Sequence, residues 1–278
     1  MDNQSVIKDL KPARVWELFA ELAAIPRPSG QEEGVRNWLI GIAQEHGFEY
    51  AVDDTGNLII NKPAQNSKAT KVVLLQAHMD MVTEADPDKD IDFSTDGIEL
   101  VQNGEWLMAD RTTLGSDNGI GLVAIVAMLT DLEVSHPPLQ ALFTVDEEVG
   151  LTGALNLDTS LIAADYVVNL DTEEEQAVYV SSAGSRDLEA RWNLSKSPLL
   201  GDSTALTVRV DGLRGGHSGV NIHEDRQNAI KLLTRALLQM RTGCLVRLES
   251  INGGNKRNAI PRFAEATIVV AADMVSVA

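Results

Sequence analysis

A chain of 278 residues with 44% hydrophobic content can bury a sizeable core, as one large or two ordinary domains. Its 23 basic residues stand against 41 acidic ones, a formal charge of −18, so nucleic acid and anionic membrane are excluded as main partners because phosphates are repelled. The single cysteine, Cys244, rules out an internal disulfide framework and fits a reducing compartment. The N-terminal stretch lacks the basic, apolar and small-residue layout of a signal peptide, and no apolar run approaches transmembrane length. The expectation is a soluble, cytoplasmic protein.

Along the chain, Val15, Trp16, Leu18, Phe19, Leu22 and Ala23 recur at helical spacing, and Ile25-Pro26-Arg27-Pro28-Ser29-Gly30 breaks that helix. Val35, Trp38, Leu39, Ile42 and Ala43 mark a second helix, closed by Gly47. Phe48–Val52 and Leu58–Asn61 read as strands of a hairpin around a turn-rich linker. Val72–Ala77 is an apolar run ending in His78-Met79-Asp80, followed by an acidic surface loop over 83–104. Leu114–Gly119 punctuates the chain before an apolar helix, Ile120–Leu129. Leu139–Val145 reads as a buried strand running into Asp146-Glu147-Glu148, and Tyr166–Leu170 as another ending in Asp171. Strand–helix alternation of this kind predicts an α/β fold with a mostly parallel central sheet.

The texture changes after Ser181-Ser182-Ala183-Gly184. Asp187–Leu194 and Thr204–Val210 alternate like half-exposed strands, Gly215-Gly216-His217-Ser218-Gly219 is a glycine-rich loop, and Asp225–Arg241 is an amphipathic helix. Leu245–Leu248 and Glu265–Ala271 are further strands. The expected division is an α/β unit at 1–183 and a separate α+β unit at 184–278.

The apolar runs of the first half share one property: their carboxyl ends carry His78 and Asp80, Glu147 and Glu148, and Asp171, while Asp117 heads an apolar helix. In an open α/β sheet, ligands sit beyond the carboxyl ends of the strands, so these residues are expected to converge. An imidazole with several carboxylates and no thiolate is a ligand set for zinc, or for manganese or cobalt as substitutes. Taken singly, Asp117 or Asp171 reads first as a cap or turn residue, the glutamate pair as a solvated turn, and His78 equally as a core histidine. Their coincidence favours metal. His46 and His136 have no such company and read as surface or loop residues.

The ordered series His78-Met79-Asp80, Gly115-Ser116-Asp117-Asn118-Gly119, Asp146-Glu147-Glu148-Val149-Gly150 and Asn169-Leu170-Asp171-Thr172-Glu173-Glu174 resembles the di-zinc exopeptidase family of carboxypeptidase G, aminoacylase and peptidase T. Within it the chain most resembles the aminoacyl-histidine dipeptidase (Xaa-His dipeptidase, carnosinase-like) branch, and the likeness extends through Gly215–Gly219 and Asn258-Ala259-Ile260-Pro261. The resemblance implies two zinc ions per subunit: His78 and Asp171 on one, Asp117 bridging both, Glu148 on the second. It further implies Glu147 as general base, Asp80 orienting the His78 imidazole, and a cis peptide at Asp117-Asn118. The resemblance makes 1–183 a catalytic domain and 184–278 a lid, in which His217 would hydrogen-bond the developing oxyanion and imply a homodimer through the lid, and Asn258 would contact the substrate's carboxylate end, although a turn role near Pro261 reads as well.

The implied activity is hydrolysis of dipeptides such as β-alanyl-histidine. An N-acyl amino acid deacylase of the same family is the alternative. The family also has a return segment that completes the sheet and supplies a last histidine to the second metal, and this sequence ends before it. The resulting expectations are an exposed sheet edge, an incomplete second site and a truncated form or partial chain, with an inactive metal-binding remnant as a further alternative.

Overall fold

The computed structural model describes residues 3–86, 88–172, 174, 176–182, 184, 186, 188–198 and 201–276. The chain divides into two compact units, Met1–Gly184 and Ser185–Ala278. Ala183, Glu173 and Asp187, which figure in the sequence reading, lie outside the described residues.

The first unit holds helices α1 (Asn3–Ile7), α2 (Ala13–Ala23), α3 (Glu33–Glu45), α4 (Ser116–Thr130) and α5 (Thr152–Leu155). Its strands are β1 (Glu49–Val52), β2 (Leu58–Lys62), β3 (Val73–His78), β4 (Leu100–Asn103), β5 (Trp106–Ala109), β6 (Leu139–Thr144) and β7 (Tyr166–Asn169). The central sheet runs β1-β2-β6-β3-β7, while β4 and β5 form a separate hairpin. The hairpin strands β1 and β2 join the sheet antiparallel, whereas β6, β3 and β7, whose ends carry the polar motifs, run parallel. The sheet is therefore mixed.

Alternation along the strands sorts side chains onto two faces. Leu58 and Ile60 of β2 and Ala141 and Phe143 of β6 belong to the main core with α2, α3 and α4, which contribute Leu18, Phe19, Leu39, Leu122 and Val126. Ile59, Leu74 and Leu142 look the other way, onto Leu157, Leu161 and Ile162. Strand β7 is an edge of the sheet, and Tyr166, Val167 and Val168 are exposed there.

The second unit packs α6 (Ala229–Gly243) on a three-stranded antiparallel sheet of order β10-β12-β8. Its strands are β8 (Ser203–Val210), the short β9 (Gly216–His217), β10 (Arg247–Gly253), the short β11 (Ala259–Ile260) and β12 (Ala264–Ala271). Asn228 caps α6 by accepting from the Lys231 amide. Ala229 and Leu233 then meet Ala264, Ala266, Ile268 and Val270, the inward-facing alternate residues of β12.

One expectation is corrected. Residues 188–194 form no strand; Leu188, Trp192 and Leu194 are exposed, because alternation alone makes no strand unless a partner ladder covers the apolar side. His136 lies in a loop as expected and is 2% exposed there, its backbone bridged to Gln65. Among the described residues, no helix is long and apolar enough to cross a membrane.

Candidate metal centre

Strands β3 and β6 lie side by side in parallel with His78 opposite Thr144, so their carboxyl ends deliver His78–Asp80 and Asp146–Glu148 to one place. The Met79 amide continues the ladder to Thr144 O at 2.8 Å. Strand β7 on the other side of β3 leads to Asp171, and the amino end of α4 brings Asp117. Gly115 there has φ +69°, a left-handed conformation that glycine adopts without penalty, and Asp117 and Asn118 depart from helical angles inside the α4 span. The peptide between Asp117 and Asn118 is cis.

His78 is completely buried, and both ring nitrogens are engaged. Nδ1 donates to Asp80 Oδ1 at 3.2 Å, while Nε2 lies 3.1 Å from Asp117 Oδ1 and 3.8 Å from Asp171 Oδ1. Asp80 accepts from four directions: His78, the Ser29 hydroxyl at 2.7 Å, and the backbone amides of Glu147 and Glu148 at 3.0 and 3.2 Å. One carboxylate thus fixes both the imidazole and the backbone that presents the two glutamates. Asn118 does the same for Asp171, donating from Nδ2 to Asp171 Oδ1 at 2.5 Å and to Leu170 O at 2.9 Å.

The electrostatics are those of a crowded anionic pocket. Burial opposes charge on His78, but hydrogen bonds to Asp117 and Asp80 outweigh it and lift the imidazole to about 10. Asp80 falls to about 2, its hydrogen bonds outweighing burial. Glu147 moves the other way, to about 7, through burial and repulsion from Glu148, Asp171 and Asp80, against the pull of His78. Glu148 is raised by burial and Asp117, and Asp171 by burial and Asp117 against the Asn118 hydrogen bond.

His78, Asp117 and Glu148 each offer a donor atom, and the three atoms lie within 4.8 Å of one another. Asp171 borders the same imidazole nitrogen. One nitrogen and several carboxylate oxygens, crowded enough to raise the glutamates, fit a divalent cation, and Asp80 orients the imidazole through the nitrogen facing away from the cluster.

Four residues of this centre escape sequence reading. Arg27 and Ser29 come from the loop that reads only as a helix breaker, and Glu32 stands at the N-cap of α3 just after it. Arg27 is 3% exposed and donates to Met79 O, Asp80 O and Gly115 O. Its pKa falls to about 10 by burial against attraction from Asp80, Asp117 and Glu148, which leaves it charged at neutral pH. Buried Glu32 accepts from the Gly30 and Asp146 amides. Asn118 is hidden by the strength of its neighbour Asp117. Their partners are mostly 50 to 115 residues away in the chain, so no local pattern announces them.

His217 and Asn258 lie in the second unit and come together there. Strand β9 pairs with β11, placing His217 opposite Ala259, and the Ser218 amide donates to Asn258 O. His217 Nδ1 accepts from the amides of Gly219 and Val220, both at 3.1 Å, which leaves Nε2 as the ring's donor nitrogen. The side chain is exposed.

The family model for peptidase family M28 matches residues 57–218, and that for the peptidase dimerisation domain matches residues 207–274. The chain belongs to the di-zinc exopeptidase family, as the sequence motifs imply. It is 42% identical over 274 residues to the cytosol non-specific dipeptidase of Escherichia coli K12, covering 98% of this chain and 56% of that protein. The crystal structure of aminoacylhistidine dipeptidase from Vibrio alginolyticus superposes with TM-score 0.65 at 37% identity, covering 96% of this chain and 55% of the other. The aminopeptidase PepT of Bacillus cereus, at 22% identity and TM-score 0.51, shares the fold. This chain spans about half the length of the first two relatives.

Proposed function

We propose that the protein is a metal-dependent dipeptidase of the cytoplasm, with Xaa-His dipeptides among its substrates, zinc as its metal and a homodimer formed through the second unit as its working state. The observation that carries the reading is the convergence of His78, Asp117 and Glu148 beside Glu147 at the carboxyl end of the sheet. The names of the E. coli and V. alginolyticus relatives favour a dipeptide over an N-acyl amino acid as substrate.

His78, Asp117 and Asp171 would hold one cation, and Asp117 with Glu148 contribute to a second. Such ions supply Lewis acidity, polarising the scissile carbonyl and making a water acidic enough to act as nucleophile near neutral pH. Glu147 accepts a proton from the attacking water as its oxygen bonds to the carbonyl carbon. The same carboxyl returns that proton to the amine nitrogen as the C–N bond breaks, so the products are two free amino acids. Asp80 keeps the His78 ring in one orientation and, by accepting from the Glu147 amide, holds the base in place. His217 would hydrogen-bond the developing oxyanion through its Nε2–H, and Asn258 would meet the substrate's carboxylate end.

Replacing Glu147 by Gln tests the proton carrier. Turnover should fall by about 10²- to 10⁴-fold while metal uptake is retained; unchanged turnover defeats the role. A panel of free-amino dipeptides against N-acyl amino acids tests the substrate, and preference for the latter would make the protein a deacylase.

A further inference from the structure

Removing a buried charge near a cation site usually has a predictable sign, and Arg27 is placed where that sign should reverse. Its guanidinium is buried, charged and close enough to Asp80, Asp117 and Glu148 to interact with all three. A cation there repels a metal ion, so on charge alone it weakens metal binding.

Its bonds argue the opposite. One terminal nitrogen donates to both Met79 O, at 3.1 Å, and Asp80 O, at 3.0 Å; the other donates to Gly115 O. The main chain of the same residue accepts from the Met81 amide, and Pro28 bridges to Met81. Arg27 therefore ties the segment that follows His78 to the segment that precedes Asp117. These segments flank different elements, the carboxyl end of β3 and the amino end of α4.

The glycines opposite fit around the arginine. A Cβ at Gly119 would stand 2.9 Å from its terminal nitrogen, and one at Gly115 would run into the same atom. The loop carries the grip further: Ser29 reaches Asp80 Oδ2, and Glu32 accepts from the Asp146 amide at the head of the glutamate pair. Side chains from 27–32 thus touch all three segments that bring donors to the His78, Asp117 and Glu148 cluster.

We infer that Arg27 is a positioning residue of the metal centre, a planar fork that sets the separation between His78 and Asp117 and so raises metal affinity despite its like charge. This rests on the metal-centre reading above. Lysine does not replace it: its three N–H donors diverge from one nitrogen, so it lacks the two rigidly separated nitrogens that hold Met79 O and Asp80 O on one side and Gly115 O on the other.

The test uses the 278-residue chain, stripped of metal, with Co²⁺ as a probe whose visible spectrum reports coordination geometry. In both Arg27→Lys and Arg27→Met, Co²⁺ affinity should fall at least about tenfold with an altered spectrum, the range expected for residues that support ligands. Charge as the whole role predicts otherwise: unchanged binding in Arg27→Lys and tighter binding in Arg27→Met. Either result overturns the proposal, as does wild-type affinity in a folded Arg27→Lys. A lysine variant that does not fold overturns it too, by making the residue structural. Amide hydrogen exchange of the metal-free chain gives a second readout. Arg27→Lys should speed exchange at 79–81 and 115–119 and leave 203–210 unchanged; equal exchange at the first two segments refutes the brace. Failure of the wild-type chain to bind Co²⁺ would instead defeat the metal-centre reading, and the exchange result would still decide for or against Arg27.

Discussion

His78 and His217 sit in the same chain under opposite regimes. His78 is fully buried, held at one nitrogen by Asp80 and facing Asp117 and Asp171 with the other, in a unit carrying 10 basic and 32 acidic residues. His217 is exposed in a unit with 13 basic and 9 acidic residues, and amides two and three positions along its own loop fix its tautomer. The first histidine depends on contacts spread over much of its unit; the second depends on one loop and the short pairing of β9 with β11. Disturbing the first site should therefore alter metal binding and stability together, whereas disturbing the second should alter turnover alone.

The sharpest way to separate the regimes is His217→Ala. Loss of an oxyanion donor should lower turnover by about 10²- to 10³-fold. Metal affinity and the melting temperature should stay at wild-type values, and a fall in metal affinity would break the contrast.

In the first unit the same test has a different signature. Gly121→Ala places a Cβ against Asn118 Oδ1 and 2.6 Å from Leu170 O, both within the contact that fixes Asp171. It should cost about 1–3 kcal/mol by overpacking and weaken metal binding as well, read by denaturant unfolding and metal titration. Stability loss with unchanged metal affinity would show that Asp171 does not depend on Asn118.

Smaller still is the effect expected at Asp53. Its Oδ1 accepts from the Thr55, Gly56 and Asn57 amides, and its Oδ2 from Asn57 Nδ2 and the Asp158 amide. Asn57 in turn accepts from the Val145 amide, just before the glutamate pair. Burial pushes the Asp53 carboxyl up, but these hydrogen bonds win and hold it below the usual carboxylate range. A depressed folded pKa stabilises above the unfolded value, near 4, and that contribution disappears as pH falls through the folded one. Asp53→Asn should therefore lose about 1–2 kcal/mol at pH 7, with the gap from wild type narrowing below about pH 4. A gap independent of pH would remove ionisation from the explanation.

What the sequence reveals follows the same division between local and distant contacts. Helices α2, α3, α4 and α6 are legible from apolar periodicity, and the strands from runs that end in His78, Glu147 and Asp171. Those endings announce themselves because polar residues at the carboxyl ends of buried strands are expensive unless used. Residues 188–194 mislead because alternation does not reveal whether a partner strand exists. The roles of Arg27, Ser29 and Glu32, and the hold of Asn118 on Asp171, are invisible because what defines them is a partner far along the chain. Ile25–Gly30 looks like punctuation, and it is also the brace of the site. His136 is hidden in the same way, with a bridge to Gln65 that no spacing predicts.

The central claim, that the ends of β3 and β6 and the head of α4 build a metal site, is tested most directly by calorimetric titration of the metal-free chain with Zn²⁺ beside His78→Ala, Asp117→Ala and Glu148→Ala. Each substitution should weaken the tightest binding event by more than the roughly 10- to 100-fold lost with a supporting residue. Wild-type affinity in His78→Ala, the residue on which the cluster turns, would contradict the account.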